Sequence, residues 1–406
     1  MRLAVIAAAT LWAVAPANAD DAPTAVTLQD VLGALPGAPA AQVQRHDVEA
    51  ASLRVDAAGA WPGPSVRLET NRLTARLVAG AALPLPVFGT IGATRREARA
   101  QAMAVQSAAI VDQRDLRRRA VVAWIALARA DGEVAASGIA ATQAAELERI
   151  ARGRLDAGAG AEVDVTIAGA GRARAELAMA TARRLREAAS AELAGVLGWD
   201  PVKPLVAAGE LPGTDTITLA TLRERLLVHP ERTLAQRRVA AAEATTAQVR
   251  SQRWPSLAIE GQVSMFDPTQ PGTDVMVALS LDVPVFARIG TRIRSASATA
   301  AAERARLAVT ESQLGAGLVA AYRRWQAAAE TLAALEKTII PAHERAAQLS
   351  AQAYRERARD LASALQASRE LTAVRAEVIA ARADLATAWA DLQVSSGGDL
   401  AVLHVR

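Results

Sequence analysis

Apolar residues near the C-terminus recur at the spacing of a coiled coil. One seam position is filled every seven residues by leucine or valine: Leu371, Val378, Leu385 and Leu392. The second seam position is filled by smaller residues: Val374, Ala381 and Ala388. A seven-residue repeat with small side chains in one seam predicts a helix that packs closely against a second helix. We therefore expect a helix of about 35 residues here, ending near Gly397.

Two other stretches predict helices that are much longer than those of a globular core. Residues 93–155 and 291–354 carry no proline except Pro341. Each stretch of roughly 63 residues would form a helix about 95 Å long. Because proline cannot donate to the helical ladder, we expect a kink at Pro341. A short turn and a return helix follow each stretch, so the sequence predicts two long antiparallel helical hairpins.

Shorter segments ahead of each long helix predict strands. In the first half of the chain they span residues 65–72 and 76–86, and in the second half 256–265 and 273–284. In the last of these, apolar residues occupy every second position: Val275, Val277, Leu279, Leu281 and Val283. Because successive side chains of a strand point to opposite faces, one face of this strand is wholly apolar and the other is mixed.

A helix of about 30 residues is predicted before each strand pair, over residues 27–59 and 218–252. Trp61-Pro62 and Trp254-Pro255 follow these helices. Proline stops them because it cannot continue the ladder and disfavours a helical residue before it. The two tryptophans are expected either in an interfacial belt or as packing anchors at the junction between helix and strand.

The order of these elements occurs twice, which indicates a duplication. Pro86-Val87-Phe88 recurs as Pro284-Val285-Phe286, and the Trp-Pro pair recurs with it, about 195 residues further on. This period is far too long for a solenoid repeat. The predicted organisation is a first repeat over 20–198, a linker over 199–217, a second repeat over 218–398 and a tail over 399–406.

The N-terminal residues resemble a secretory signal peptide. Arg2 precedes an apolar stretch over residues 3–16, which is followed by Ala17-Asn18-Ala19. A positive residue, a short apolar region and an A-x-A site predict export and cleavage after Ala19. The apolar run is too short to span a bilayer, and no later segment has the roughly 20 apolar residues of a membrane helix. The mature chain is therefore expected either in the periplasm or in a membrane that it crosses through strands.

Composition excludes several classes of protein. The chain has no cysteine, which excludes disulfides, Cys-ligated zinc and thiol catalysis. With 46 Lys and Arg against 42 Asp and Glu, the formal net charge is only +4. The arginines form no cluster interleaved with aromatic residues, so nucleic acid is not expected as a partner.

No catalytic, cofactor or metal site is predicted. The four histidines lack a second histidine at helical ligand spacing. His343-Glu344 begins a zinc-protease pattern, but Ala347 occupies the position where the second histidine would be needed. Phosphate-binding, dinucleotide-binding and G-x-S-x-G patterns do not occur. We therefore do not expect an enzyme.

The strand count predicts an assembly if the strands enter a membrane. Four open strands would leave backbone groups unsatisfied in lipid. Three chains would together supply twelve strands, an even number within the usual range of membrane barrels.

The chain resembles the TolC-like outer-membrane efflux protein family over about residues 25–398. The resemblance depends on the duplication, on Trp-Pro before each first strand and on Pro-Val-Phe before each long helix. It also depends on the turns at the far ends of the helical hairpins. Residues 155–165 are similar to the family's aromatic-x-x-Gly turn with an Asp-Val helix start, with Leu155 in place of the aromatic residue. Residues 353–359 are similar to Tyr-x-x-Gly-x-Arg, with Arg357 in place of glycine.

The resemblance implies a mainly α-helical fold with a small β part. Tandem helical hairpins would form an α-barrel across the periplasm. Two β-hairpins per chain would contribute four strands to a trimeric, 12-stranded outer-membrane β-barrel. The implied function is the outer-membrane channel of a tripartite efflux system. Its implied partners are two further copies of the chain, outer-membrane lipid, a periplasmic adaptor and an inner-membrane pump of RND type. No cofactor is implied.

The resemblance also implies a periplasmic gate at the hairpin tips. Asp164, Tyr354 and Arg359 would form polar links that hold the tip closed. Arg357 and the turn glycines Gly158 and Gly160 would shape the tips where an adaptor docks. Without the resemblance, Asp164 is an acidic residue beside a helix N-terminus, and Tyr354 and Arg359 belong to a solvated helix end.

The cargo and the class of protein remain open at this point. The Trp-Pro pairs and Ile339-Ile340-Pro341 most resemble the cobalt-zinc-cadmium branch of the family, which implies export of heavy-metal cations. Drug efflux and type I protein secretion are the alternative cargoes. A periplasmic coiled-coil adaptor or structural protein is the alternative class, and it would be distinguished by a soluble monomer on fractionation.

Overall fold

The computed structural model describes residues 23–71, 76–213, 217–265, 272–283, 288–356, 360–398 and 400. The predicted signal peptide, the second Pro-Val-Phe motif and nearly all of the predicted tail lie outside these residues. Within the described ranges, no helix combines the length and the apolarity needed to cross a bilayer.

Helices form most of the described structure. Nine α-helices occur among the described residues: α1 (Leu28–Ala34), α2 (Pro39–Gly59), α3 (Thr90–Asp156), α4 (Glu162–Leu197), α5 (Leu219–Arg225), α6 (Pro230–Ser251), α7 (Ile289–Ala334), α8 (Ile340–Arg355) and α9 (Leu361–Ser395). Helix α3 alone has 67 residues, which gives it a length of about 100 Å. The two long helical hairpins predicted from the sequence are therefore confirmed, as α3–α4 and as α7–α8–α9.

The described residues form six strands: β1 (Thr24–Thr27), β2 (Ser65–Asn71), β3 (Arg76–Leu85), β4 (Leu205–Ala208), β5 (Ser256–Met265) and β6 (Asp274–Asp282). Four of the strands lie between the short and the long helices of each half, while β1 precedes α1 and β4 follows α4. The larger sheet is antiparallel with the order β2-β3-β5-β6. Strands β3 and β5 pair from Leu77↔Met265 to Leu85↔Leu257, so the two halves of the chain share one sheet.

The predicted apolar face of β6 lies at the surface of the single chain. Val275 and Val277 are 72% and 75% exposed, and Leu279 and Leu281 are also exposed. Val66 of β2 is 76% exposed. Contiguous exposed apolar surface of this kind is rare on monomeric soluble proteins, so the sheet requires another apolar environment.

The short helices differ from the sequence prediction, because each predicted 30-residue helix is broken. A 3-10 turn at Leu35–Gly37 separates α1 from α2, and a second at Leu226–Val228 separates α5 from α6. Pro39 and Pro230 are the first residues of α2 and α6. A proline lacks the N–H of the ladder and is tolerated at the first position of a helix, so it starts a new helix after each break.

The linker between the repeats contains structure that the sequence analysis did not predict. Strand β4 lies in it and pairs in parallel with β1, from Thr24↔Leu205 to Thr27↔Ala208. Asp131 of α3 accepts a hydrogen bond from the Ala207 N–H at 2.9 Å and forms an ion pair with Arg186 of α4 at 3.0 Å. Burial raises the pKa of the Asp131 carboxyl, while both of these partners act in the opposite direction.

The kink expected at Pro341 takes the form of a π-helical segment. The backbone is π-helical over Leu335–Ile339, and α8 begins at Ile340, directly before the proline. A π segment shifts the register of the hydrogen-bond ladder, which accommodates the missing N–H of Pro341. Helix α3 contains no proline and has no such interruption.

The main core lies where the two-stranded sheet of β1 and β4 meets α3, α4 and α9. Trp124 of α3 is fully buried there, and its indole Nε1 donates to the Val26 carbonyl at 2.9 Å. The core therefore anchors the N-terminal strand against the middle of the first long helix. Trp61 and Trp254 are 62% and 60% exposed, so neither tryptophan anchors the interior of the single chain.

A buried histidine joins the start of α6 to the end of α9. His229 is 1% exposed, and its Nδ1 accepts a hydrogen bond from the Glu231 N–H at 3.2 Å. Its Nε2 lies 3.1 Å from the Val394 carbonyl, so this nitrogen carries the proton and donates. Burial lowers the pKa of His229, although Val394 and the charge of Glu231 act in the opposite direction.

We predict that this histidine makes folding stability depend on pH. The folded pKa lies below the unfolded value of about 6.5, so the unfolded chain takes up the proton first as the pH falls. The free energy of unfolding should be constant above about pH 6.5 and should decrease below it. Denaturant titrations at pH 7.5 and 5.5 measure this difference. The difference between the two pH values should shrink in His229→Gln. It should persist in the control His46→Gln, since His46 is exposed. An unchanged difference in His229→Gln would contradict the role of this histidine in the pH dependence.

Candidate gate at the tips of the helical hairpins

The turn of the first hairpin is built on two glycines with different roles. Gly158 has φ of 66°, a left-handed conformation that residues with a Cβ adopt at a cost. Gly160 lies so close to the end of α3 that a Cβ would be 2.9 Å from the Leu155 backbone nitrogen. The Ala159 N–H donates to the Arg154 carbonyl at 2.8 Å and closes the turn. Both glycines are therefore required by the shape of this tip, as the sequence analysis expected of the turn.

The turn of the second hairpin is described only at its two ends. Helix α8 ends at Arg355, and α9 begins at Leu361 after the N-cap residue Asp360, whose Oδ1 accepts from the Ser363 N–H at 3.2 Å. Arg357 and Arg359, two of the residues assigned to the tip from the sequence, lie outside the described residues.

Tyr354 lies between the two hairpins and not at a solvated helix end. It is 1% exposed and packs in an apolar cluster drawn from both hairpins: Leu147, Ala151, Ala168, Leu361, Ala364 and Leu365. Its hydroxyl is buried and has no hydrogen-bond partner among the described residues. An unsatisfied buried hydroxyl is costly, so this position requires an explanation beyond packing.

Asp164 lies in the first turn of α4, near Tyr354. Burial raises the pKa of the Tyr354 hydroxyl, the charge of Arg154 lowers it, and the negative charge of Asp164 raises it further. The structure therefore brings Asp164 and Tyr354 to the same tip. It does not join them by a hydrogen bond, since the tyrosine hydroxyl has no such partner among the described residues.

Arg154 is a tip residue that the sequence analysis missed. It lies in the last turn of α3, and its guanidinium carbon is 4.5 Å from the centroid of the Tyr354 ring. Its Nη1 donates to the Tyr354 carbonyl at 3.2 Å and its Nη2 to the Ala159 carbonyl at 3.4 Å. No local sequence pattern separates it from the other arginines of the long helices, because its partner lies 200 residues away.

Other charges at the first tip pair within their own hairpin. Glu148 forms ion pairs with Arg152 at 2.6 Å and with Arg172 at 3.4 Å, which joins α3 to α4. Arg149 pairs with Glu146 on the same helix at 2.7 Å. The Arg149–Glu146 pair is exposed, and a pair of this kind contributes only about 0–1 kcal/mol.

An aromatic pair marks the opposite end of the helices, where they meet the larger sheet. Phe88 stacks on Trp254 with ring centroids 6.0 Å apart and planes inclined by 10°. A cavity of about 470 Å³ lies beside this pair and is lined largely by prolines and apolar residues. Among the described residues, no group of three or more His, Asp or Glu is arranged to hold a metal ion.

The chain is similar to known proteins at both the sequence and the structural level. The profile of the outer membrane efflux protein family matches residues 226–398, which cover most of the second repeat. No curated protein sequence matches the chain significantly.

Solved structures match nearly the whole chain. The outer-membrane channel OprN shares 22% identity with a TM-score of 0.74, covering 92% of this chain and 90% of its own. A membrane protein from Pseudomonas aeruginosa shares 19% identity with a TM-score of 0.77, covering 93% and 92%. The MtrE outer membrane channel of Neisseria gonorrhoeae, solved in its open state, shares 16% identity with a TM-score of 0.72, covering 91% and 89%. This chain therefore has the fold of these channels.

Proposed function

We propose that this protein is an outer-membrane efflux channel that works as a homotrimer. The proposal is based on two features that occur together: a pair of long helical hairpins, and a four-stranded sheet whose apolar face is exposed. Strands β2 and β6 are the outer strands of this sheet, so each has an edge that a neighbouring copy could pair with. Pooling strands from three copies would satisfy these edges in lipid. The fold shared with known channels and the family match of the second repeat support the same conclusion.

The proposed position in the cell follows from the dimensions of the two parts. The sheet would lie in the outer membrane, and helices of about 100 Å would extend into the periplasm. The hairpin tips would then face the inner membrane and meet a periplasmic adaptor and an inner-membrane pump of RND type. Gly158, Gly160 and Arg357 would shape the docking surface for the adaptor.

The proposed cargo is heavy-metal cations, based on the resemblance to the cobalt-zinc-cadmium branch. Loss of the protein is expected to make the host more sensitive to cobalt, zinc and cadmium salts. Unchanged metal tolerance together with greater sensitivity to organic toxins would instead assign the channel to drug efflux. Loss of a secreted protein from the medium would assign it to type I secretion.

The proposed gate consists of Asp164, Tyr354 and Arg359. The buried Tyr354 hydroxyl has no hydrogen-bond partner among the described residues, and the negative charge of Asp164 raises its pKa, which supports a link completed in the assembled trimer. Desolvated links that involve a charged group contribute about 1.5–3 kcal/mol. Because three copies surround one axis, they would together keep the open state rare.

We predict that the double variant Tyr354→Phe, Arg359→Ser conducts better than the wild type in planar bilayers. It removes a hydroxyl and a guanidinium and leaves the aromatic ring, so trimer stability should be nearly unchanged. The matched control is Tyr322→Phe, Arg323→Ser, which changes the other tyrosine and an exposed arginine in the last third of α7. The control should conduct like the wild type. Unaltered conductance in the double variant at positions 354 and 359 would show that the constriction lies elsewhere.

A further inference from the structure

We infer that Arg154 is a positioning residue of the gate, which holds Tyr354 and both hairpin tips of one protomer in the closed arrangement. This inference depends on the proposed channel function. We call the contacts of Arg154 with Tyr354 and Ala159 the Arg154 clamp. Its role is to fix the tyrosine ring from within the protomer, so that any link to a neighbouring copy starts from a defined position.

The geometry of the clamp joins two parts of the chain that are distant in sequence. The guanidinium lies over the Tyr354 ring at 4.5 Å, within the range of an attractive cation–π contact. One guanidinium nitrogen donates to the carbonyl of Tyr354 on α8, and the other donates to the carbonyl of Ala159 in the first turn. A single side chain therefore connects the end of the second long helix to the turn of the first hairpin.

Burial strengthens the Arg154 clamp but leaves two of the polar atoms at this site without a hydrogen-bond partner among the described residues. The Tyr354 ring is almost fully buried, and cation–π contacts strengthen when water is removed. However, the Nε of Arg154 and the hydroxyl of Tyr354 are both buried without a hydrogen-bond partner among the described residues. The proposed gate gives the Tyr354 hydroxyl a partner in the closed trimer, which leaves the Arg154 Nε as the unsatisfied donor that destabilises the closed arrangement. A rearrangement that gave this nitrogen an acceptor would offset the loss of the clamp, so the tip is suited to switching between two states.

The neighbouring arginines provide a contrast within about two turns of α3. Arg149 and Arg152 pair with Glu146 and Glu148, which belong to the same helix. Arg154 alone among these three contacts the second hairpin in the described structure. Arg149→Gln is therefore a matched control for Arg154→Gln, because it removes the same charge near the tip without breaking a contact between hairpins.

The first experiment measures the open probability of purified channels in planar bilayers. We expect Arg154→Gln to raise it about tenfold, which corresponds to about 1.4 kcal/mol. Arg154→Lys keeps the charge over the ring but loses the planar fork, so an intermediate increase is expected. Arg149→Gln should change it by less than about twofold, as expected for an exposed pair. The temperature at which the trimer dissociates on gels should be the same in all of these variants.

A double-mutant cycle tests whether Arg154 acts through the tyrosine ring. Tyr354→Leu removes the ring and leaves a side chain suited to a cluster that already contains Leu147, Leu361 and Leu365. In that background, Arg154→Gln should have little further effect on the open probability, because the contact is already lost. Full additivity of the two changes would overturn the inference.

Hydrogen exchange separates failure of this inference from failure of the channel proposal. Peptides covering residues 155–161 and 352–356 should exchange faster in Arg154→Gln than in the wild type or in Arg149→Gln. This measurement needs only the purified protein, so it tests the clamp even if no channel conducts. Absence of conductance in the wild type and all variants would mean that the channel proposal itself fails. Unchanged exchange in Arg154→Gln overturns the clamp. Faster exchange with an unchanged open probability in conducting channels overturns its role in gating.

Discussion

Deleting residues 256–284 is expected to abolish assembly of the protein in the outer membrane. The deletion removes β5, which pairs with β3 on one side and with β6 on the other, and it removes β6 itself. Three copies would then supply two strands each, which is too few to close a membrane barrel without exposed edges. Fractionation of cell envelopes, with unheated gels to detect the trimer, measures the outcome.

Point variants in β5 provide the controls for this deletion. Val263→Pro places a proline inside a strand that is paired on both sides and should strongly reduce assembly, because it removes a ladder hydrogen bond. Ser256→Pro, at the first residue of the same strand, should assemble like the wild type. A normal outer-membrane trimer formed by the deletion variant would contradict the assignment of these strands to the barrel.

Trp124→Ala is expected to lower the free energy of unfolding by about 3–5 kcal/mol, the usual cost of removing a large buried aromatic side chain. The side chain is fully buried in the main core, and the change also leaves the Val26 carbonyl without its indole donor. Since Val26 belongs to β1, the N-terminal strand should detach from α3 at lower denaturant concentrations than in the wild type. Guanidinium unfolding in detergent, followed by circular dichroism, measures the loss.

Two further substitutions separate packing from hydrogen bonding at Trp124. Trp124→Phe keeps most of the buried ring but removes the donor, so a smaller loss of about 1–3 kcal/mol is expected. Trp61→Ala changes a tryptophan that is 62% exposed and should cost less than about 0.5 kcal/mol. Equal losses of unfolding free energy for Trp124→Ala and Trp61→Ala would contradict the placement of the main core around Trp124.

The long elements could be predicted from the sequence because their signals extend over many turns. The stretch that became α9 carries a seven-residue apolar repeat, the stretch that became α3 is long and free of proline, and the predicted ends of both agree with the structure to within a few residues. The strands of the larger sheet were also predicted, since each lies between clear turn or Trp-Pro signals.

The smaller elements were missed because their partners are distant or their signals are short. Strands β1 and β4 have only four residues each, and Thr24 pairs with Leu205 across most of the first repeat. Such a pairing depends on tertiary packing and leaves little periodicity in the sequence. The failure to predict the helix breaks before Pro39 and Pro230 was a different kind of error. Both prolines were visible within the predicted helices, and they interrupt the ladder as proline usually does.

The candidate gate was predicted only in part. The positions of Gly158 and Gly160 in the first turn follow from local backbone requirements, which a sequence pattern can indicate. The burial of Tyr354 between the hairpins and its contact with Arg154 depend on packing across 200 residues of chain. The expectation that Tyr354 could be an ordinary solvated residue is wrong, since its side chain is 1% exposed.

We expect three copies of this chain to form one outer-membrane channel. The most direct test is native mass spectrometry of the protein extracted with detergent from purified outer membranes. We expect a single species with the mass of three chains, each lacking residues 1–19. Recovery of the protein from the periplasmic fraction as a soluble monomer would contradict it.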